Sequence, residues 1–486
     1  MATVGPTLGT SSSGTASTKA ASTRTLAVTL IWLPLLAALG ITLWNTPYPI
    51  NETIALLEDV KNETRTFFDP TLRAWYRPLF FYTFDWLWRG PGSLDSAMAW
   101  FKVIEVVSPL ALILIFIRHL RPLTWMEAGA ATVATAVLVG TPGFRENLEI
   151  PLLMTLVGMP LLLIVWMIVT SPSRAWHALA VLALTFIAIG FKEQGLAIAP
   201  VVVVAWWARA PGAGNRVMAG VVALALAYLA FRFTWNENWP IFEQSMGLGF
   251  HTLEPREAIA RFGTSPYPMY AYNALSTILN VLVSEPTRGL FFIARDVAYW
   301  QAEPWEFVHV LSSVGLTGLI VWWSWRVIPG WRRDGWTPEG RVALAFWAVL
   351  LGSGALSVKY SRDRLGGMAS VFYALAAYEA LRHLITWVLA TSPARRRQAA
   401  IVGLVVVISL GWHLRAVGTL EWTRRMAEAN YAGWITQVPP RRVRFADRPV
   451  YLGIMSRMTA QGTASDSPRP TNYPDVISRL LGPPVR

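Results

Sequence analysis

Apolar stretches of about 16 to 22 residues recur along the chain, and short polar links separate them. Each stretch is long enough, or nearly long enough, to cross the roughly 30 Å hydrocarbon core of a bilayer as an α-helix. The pattern predicts an all-α polytopic membrane protein whose membrane domain covers residues 25–415 and contains about 11 transmembrane helices. The predicted spans are 25–44, 99–117, 125–141, 150–170, 175–191, 195–208, 217–234, 306–325, 341–358, 366–389 and 399–415.

The basic residues of the links indicate how these spans are oriented. Every second link is rich in arginine, and the positive-inside rule places such links in the cytoplasm. The distribution predicts an integral protein of the plasma or inner membrane with a cytoplasmic N-terminus. The arginines of these links are Arg118 and Arg121; Arg174; Arg209 and Arg216; Arg326, Arg332 and Arg333; and Arg395, Arg396 and Arg397.

The segments outside the spans differ in character. Residues 1–24 are rich in Ser, Thr, Gly and Ala, a composition that predicts a disordered cytoplasmic tail. Two outward links, 45–98 and 236–305, are large, and their amphipathic stretches predict helices lying at the membrane interface. A re-entrant or additional pair of spans over residues 270–298 is the alternative. The polar segment 416–486 predicts a small extracytoplasmic cap or tail.

Composition narrows the class further. Of the 486 residues, 54% are hydrophobic and only 15% are charged, and the chain contains 25 tryptophans, as expected for a protein dissolved in lipid. The net charge of +13 is typical of basic cytoplasmic loops that contact anionic lipid headgroups. We therefore expect membrane lipids as partners and no nucleic acid. The absence of cysteine excludes disulfides and thiolate chemistry. Because no two of the six histidines have metal-ligand spacing, we expect no structural zinc.

Four polar clusters fall on the predicted outward side, in residues 45–79, 145–149, 192–195 and 359–364. Taken singly, each is an ordinary polar loop. Together they place lysines and arginines where the positive-inside rule predicts few, and at a depth where unpaired charges are costly. Cations kept there indicate an anionic ligand such as a phosphate or diphosphate. The accompanying carboxylates are typical of acid–base work on a sugar hydroxyl.

Three short motifs follow one another on this side: Tyr76-Arg77-Pro78-Leu79, Lys192-Glu193-Gln194-Gly195, and a turn centred on Arg364 that opens the tenth span. In this order they resemble the GT-C superfamily of integral membrane glycosyltransferases, over about residues 25–390. They are most similar to the branch of transmembrane O-mannosyltransferases, without its tetratricopeptide repeats. The resemblance implies an inverting enzyme that moves a sugar from a polyprenyl-phosphate donor to a glycan, lipid or protein hydroxyl at the outer face.

The resemblance also implies a catalytic base, which in that family is a carboxylate of the first outer loop. The family's acidic pair begins with Asp, whereas the matching position here holds Asn51, followed by Glu52. Glu52 is therefore our first choice for the base, with Asp59 and Asp69 as alternatives. Asn51 and Glu52 can equally be read as the N-cap and first residue of a helix.

The resemblance further implies cations that neutralise the departing phosphate, a role that preorganised charges fill well in a site of low dielectric. The candidates are Arg77, Lys192 and Arg364, followed by Arg362. A second group is open to three roles, namely orienting the acceptor, holding a divalent cation as cofactor, or neutralising the neighbouring cations. For Glu193 we favour neutralisation of the adjacent cation Lys192. This group comprises Tyr76, Arg145, Glu146, Glu149 and Glu193.

Two other functions fit parts of the pattern. An O-antigen ligase or polymerase, which uses a diphosphate-linked glycan, is expected to carry essential Arg and His residues in a large outer loop. The loop 236–305 contains four arginines and His251, so this alternative stays open. A lipid-linked glycan transporter or flippase is expected to show internal repeats and Gly- or Pro-broken helices, and neither pattern is evident.

Overall fold

Long apolar helices dominate the part of the chain that the structure describes. Four of them are long and apolar enough to cross a bilayer, so the protein is an α-helical membrane protein, as predicted. These four are Ala21–Asn45, Val103–Leu120, Pro304–Val327 and Ile401–Arg425. The structure is a computed structural model, and it describes residues 13–45, 77–89, 94–149, 153–234, 246–248, 251–253, 256, 259–260, 263–265, 267–284, 290–331, 335–357, 361–391 and 395–437.

The helices occur at the positions along the chain where the apolar stretches predict them. In the first half they are α1 Ser13–Asn45, α2 Pro78–Arg89, α3 Leu94–Leu120, α4 Trp125–Gly140, α5 Pro142–Glu149, α6 Leu153–Thr170, α7 His177–Phe191, α8 Ile198–Trp207 and α9 Asn215–Thr234. In the second half they are α10 Tyr267–Val283, α11 Leu290–Ala298, α12 Pro304–Val327, α13 Pro338–Ala355, α14 Gly367–Thr391 and α15 Arg395–Gln437. Two short 3₁₀ helices, Glu193–Ala197 and Asp363–Gly366, precede α8 and α14.

Each predicted span coincides with one of these helices: α1, α3, α4, α6 to α9 and α12 to α15. Several of them, among them α4, α7 and Glu193–Trp207, have apolar segments of only 10–17 residues. A straight crossing of the bilayer takes about 20 residues. The helices themselves are therefore observed, whereas the number that cross the membrane beyond the first four stays a prediction.

Two helices extend beyond their predicted spans. Helix α1 begins at Ser13, inside the segment predicted to be a disordered tail. Helix α15 continues to Gln437, well beyond the predicted end of the last span at residue 415. Extending an existing helix is much easier than nucleating a new one, so residues next to a stable apolar helix join it even when they are polar. Of the predicted extracytoplasmic segment, residues 438–486 lie outside the described residues.

Helix α14 lies at the centre of the bundle. Its residues from Met368 to Tyr378 are all buried, which is the pattern of a helix surrounded by protein on every side. It packs against α4, α6, α12 and α13. Helix α4 is rich in alanine, and these small side chains let α14 and α15 approach it closely.

The links predicted to face outward form their own structure at one end of this core. Helix α5 packs on the 3₁₀ helix Asp363–Gly366 and on the start of α14. A Cβ atom at Gly143 would lie 2.8 Å from the backbone nitrogen of Gly367, so only glycine permits this approach. Between residues 236 and 265 the structure describes an antiparallel pair of strands, β1 Met246–Leu248 and β2 His251–Leu253.

Candidate functional site

Arg77 and Glu193 form a buried bidentate ion pair between the first and second motifs. Arg77 directly precedes α2, and its side chain is only 8% exposed. Its Nε donates to Glu193 Oε2 at 3.0 Å, and its Nη2 donates to Glu193 Oε1 at 2.9 Å. This fork-to-fork geometry is the strongest and most directional form of such a pair. Glu193 thus neutralises Arg77, and its charge also favours the protonated form of the adjacent Lys192.

Lys192 lies in the link between α7 and the 3₁₀ helix Glu193–Ala197, and it is buried. Its backbone is extended, and Gly195 folds back to donate its N–H to the Lys192 carbonyl at 2.8 Å. A Cβ atom at Gly195 would lie 2.3 Å from the Ala188 carbonyl carbon, so this turn requires glycine. Burial lowers the pKa of Lys192 well below its ordinary value, and the nearby cations Arg364 and Arg77 act in the same direction.

Asp363, in the fourth polar cluster, contacts the second cluster. Its carboxylate lies 3.5 Å from Arg145 Nη2, and Asn280 of α10 donates to its Oδ1 at 2.6 Å. Arg145 also stacks over Trp422 of α15, with 5.1 Å between the guanidinium carbon and the ring centroid. The ion-pair partner of Arg145 therefore comes from the link before α14.

Glu146 and Asn147 fix the backbone around Arg364 instead. Glu146 Oε2 accepts the Arg364 backbone N–H, and Asn147 Nδ2 donates to the Arg364 carbonyl at 3.3 Å. Asn147 also donates to the Gly143 carbonyl within its own helix at 2.6 Å. Two side chains of α5 thus hold the turn that carries Arg364.

Of the remaining predicted site residues, two are described and four lie outside the described residues. Arg362 is partly exposed at the N-cap of the 3₁₀ helix, and Glu149 is the last residue of α5. The predicted bases and Tyr76 fall in the loop that the structure does not describe, so the identity of the base stays a prediction. These residues are Glu52, Asp59, Asp69 and Tyr76.

The structure therefore brings together residues from four links that are far apart in sequence. We call this group the ionic cluster; it holds four cations and three carboxylates, with the cation Arg362 beside it. An anion placed among these side chains would restore the balance of charge and raise the pKa of Lys192 again. The members are Arg77, Arg145, Glu146, Lys192, Glu193, Asp363 and Arg364.

Arg415 was missed by the sequence reasoning, which treated it as the end of the last span. It is buried in α15 and donates to the hydroxyls of three serines: Ser313 at 2.6 Å, Ser284 at 3.0 Å and Ser312 at 3.2 Å. It also donates to two backbone carbonyls and stacks on Trp412 at 3.8 Å. The available signal was a single arginine inside an otherwise apolar run, which in membrane proteins usually marks an interior position.

Comparisons of the chain with protein-family models, with curated proteins and with solved structures find no match. Among the described residues, no group of three or more carboxylate or imidazole side chains is arranged to hold a metal ion.

Proposed function

We propose that the protein is an inverting glycosyltransferase of the GT-C type, which moves a sugar from a polyprenyl-phosphate donor to an acceptor hydroxyl. The observation that carries this proposal is the excess of buried cations over carboxylates in the ionic cluster. Burying a charge costs several kcal/mol unless an opposite charge compensates it. A lipid-linked phosphate can reach a buried site at the end of a membrane bundle and supply that charge.

The proposal includes a membrane arrangement. Eleven helices cross the bilayer, the N-terminus is cytoplasmic, and the ionic cluster faces the extracytoplasmic side. The arginine-rich links at the opposite ends of the same helices support this orientation through the positive-inside rule. At the same end of the bundle as the link that contains Arg209, Arg341 at the start of α13 donates to the carbonyls of Ala208 and Arg209. The lipid chain of the donor then lies between helices, beside exposed apolar side chains.

The chemistry is a single displacement. A first-loop carboxylate, with Glu52 preferred over Asp59 and Asp69, accepts the proton of the acceptor hydroxyl. The acceptor oxygen forms a bond to the anomeric carbon while the bond from that carbon to the phosphate oxygen breaks. The electron pair stays on the phosphate, which changes from a singly charged diester to a monoester with more negative charge. Cations fixed around it therefore stabilise the transition state more than the bound donor.

Three cations are placed for this role. Arg77 is held by Glu193, the Arg364 turn is held by Glu146 and Asn147, and Lys192 lies within the electric field of both arginines. Because their partners fix them before the donor binds, little reorganisation is needed as the charge develops. Arg145 is engaged with Asp363 and Trp422, which favours a supporting role.

The test is turnover by purified protein of a panel of radiolabelled polyprenyl-phosphate monosaccharides, followed by release of free lipid phosphate. We expect turnover of at least one donor, and a loss of about a hundredfold in kcat for Arg77→Met. The control is Arg341→Met, which removes an arginine from the opposite end of the bundle and retains turnover. Turnover of no phosphate-linked donor, together with consumption of a diphosphate-linked glycan, would contradict the proposal in favour of the ligase or polymerase.

A further inference from the structure

A stripe of polar side chains runs along one face of α10. The residues follow one another at intervals of three and four, which places them on a single side of a helix. All are less than one-tenth exposed, although the helix also carries an apolar face. We call this surface the α10 polar face; it comprises Asn273, Ser276, Thr277, Asn280 and, just past the end of the helix, Ser284.

The C-terminal part of the α10 polar face is fixed by protein partners. Asn280 donates to Asp363 of the ionic cluster at 2.6 Å. One turn further on, the Ser284 hydroxyl lies 2.9 Å from the Ser313 hydroxyl and accepts from Arg415 at 3.0 Å. The face therefore begins beside the ionic cluster, and its position relative to that cluster is set by a buried hydrogen bond.

Toward the N-terminus of α10, from Asn280 back to Ser276, the face contains polar atoms that lack protein partners. Among the described residues, Ser276 Oγ, Thr277 Oγ1 and Asn280 Oδ1 are buried and make no hydrogen bond. The same holds for two atoms on α5, Arg145 Nε and Glu146 Oε1, in residues that contact the Asp363–Gly366 segment. Buried polar groups are nearly always hydrogen-bonded, because leaving them unpaired sacrifices their hydration. These five atoms lie on α5 and α10, the two helices whose side chains contact Asp363, and they point to a partner that binds there.

The chemistry of these five atoms defines the partner. Two are hydroxyls that both donate and accept, two are oxygens that accept, and one is a guanidinium N–H that donates. A phosphate offers only acceptors, and a polyprenyl chain offers neither donors nor acceptors. A sugar offers several hydroxyls, each of which donates and accepts. Ser276 and Thr277 precede Asn280 by about one helical turn, roughly 5.4 Å, so a monosaccharide joined directly to a phosphate in the ionic cluster can reach them.

We propose that the α10 polar face, with Glu146 and Arg145, is the subsite that binds the sugar hydroxyls of the lipid-linked donor. This inference rests on the proposed function, since it places the donor phosphate in the ionic cluster. It assigns recognition of the sugar to a helix that the sequence alone marks only as amphipathic. Ser276 and Thr277 then determine which sugar is accepted.

The test compares Thr277→Val and Ser276→Ala with the wild-type protein in detergent. Thr135→Val is the matched control, because Thr135 is equally buried and its hydroxyl is bonded within α4 to the Ala131 carbonyl. The probes are farnesol, farnesyl phosphate, and farnesyl phosphate carrying mannose, glucose, galactose or arabinose. The readouts are the melting temperature with each probe and kcat/KM for any donor that is turned over.

We expect farnesyl phosphate, but not farnesol, to raise the melting temperature, and at least one glycoside to raise it further. Thr277→Val and Ser276→Ala should keep the phosphate response, lose the additional glycoside response, and reduce kcat/KM about tenfold or more. Without ligand their melting temperatures should equal or exceed that of the wild type, because each removes an unpaired buried hydroxyl.

Two failures are distinguishable. If the variants and the Thr135→Val control retain the full additional glycoside response, ordered water fills the site and the inference is wrong while the proposed function stands. If the wild-type protein responds to no phosphate-bearing probe, the proposed function is wrong and the sugar subsite with it.

Discussion

The pair of Arg77 and Glu193 gives the sharpest quantitative prediction. In Glu193→Gln the side chain keeps its size but loses its charge, and one of the two hydrogen bonds becomes a contact between two donors. With about 4 Å between the charge centres and an effective dielectric constant of about 20, the lost attraction is about 4 kcal/mol. The Glu193 side chain is 17% exposed, so water recovers part of this. We expect a loss of about 3 kcal/mol in the free energy of unfolding.

A double-mutant cycle isolates that interaction. The variants are Glu193→Gln, Arg77→Met and the combination, and the assay is denaturant unfolding in detergent micelles followed by circular dichroism. Because Arg77→Met removes the charge that Glu193→Gln leaves unpaired, the double variant should be about 2 kcal/mol more stable than the sum of the single effects predicts. A coupling energy below about 0.5 kcal/mol would show that the two residues act independently. The ion pair of Arg77 and Glu193 would then not be part of the ionic cluster.

Three further predictions concern the site and its support. Lys192→Met should raise the free energy of unfolding by about 1 kcal/mol and weaken binding of farnesyl phosphate about tenfold. The folded-state pKa of Lys192 is lowered, so below the ordinary value of 10.5 the unfolded chain binds more protons than the folded protein. The free energy of unfolding of the wild type should therefore rise relative to that of Lys192→Met as the pH increases toward this value. A difference in stability that does not change with pH would contradict this. Gly195→Ala should cost about 3 kcal/mol by unfolding assay, whereas the control Gly418→Ala, where a Cβ meets nothing within 4 Å, should cost nothing. Arg415→Met should cost about 3 kcal/mol, with no rescue by Arg415→Lys, because a single ammonium cannot reach all three serines; full rescue by lysine would show that charge alone matters.

The apolar stretches were sufficient to predict an α-helical membrane protein and the position of its long helices, because hydrophobic length is a local property of the sequence. The positive-inside rule was sufficient to group the polar links that the structure brings together. Neither signal predicts which side chains pair. The pairs of Arg77 with Glu193 and of Arg145 with Asp363 join residues more than 100 positions apart, and they depend on how α2, α5 and α14 pack.

The features that the sequence did not predict have related physical causes. The start of α1 and the extension of α15 were missed because composition measures average hydrophobicity, whereas a helix once formed propagates through polar residues. Arg415 was assigned to the end of a span because a lone charge normally stops a hydropathy window. The spacing of the polar residues in α10 was visible in the sequence, but only the structure shows that this face is buried.

The most direct test of the central claim is an experimental structure of the protein in lipid nanodiscs with a bound polyprenyl phosphate. We expect the phosphate to lie within hydrogen-bond distance of Arg77, Lys192 and Arg364, with the lipid chain leaving between helices into the bilayer. A phosphate bound at the arginine-rich opposite end of the bundle, beside Arg326 or Arg341, with the ionic cluster closed on itself, would contradict the account.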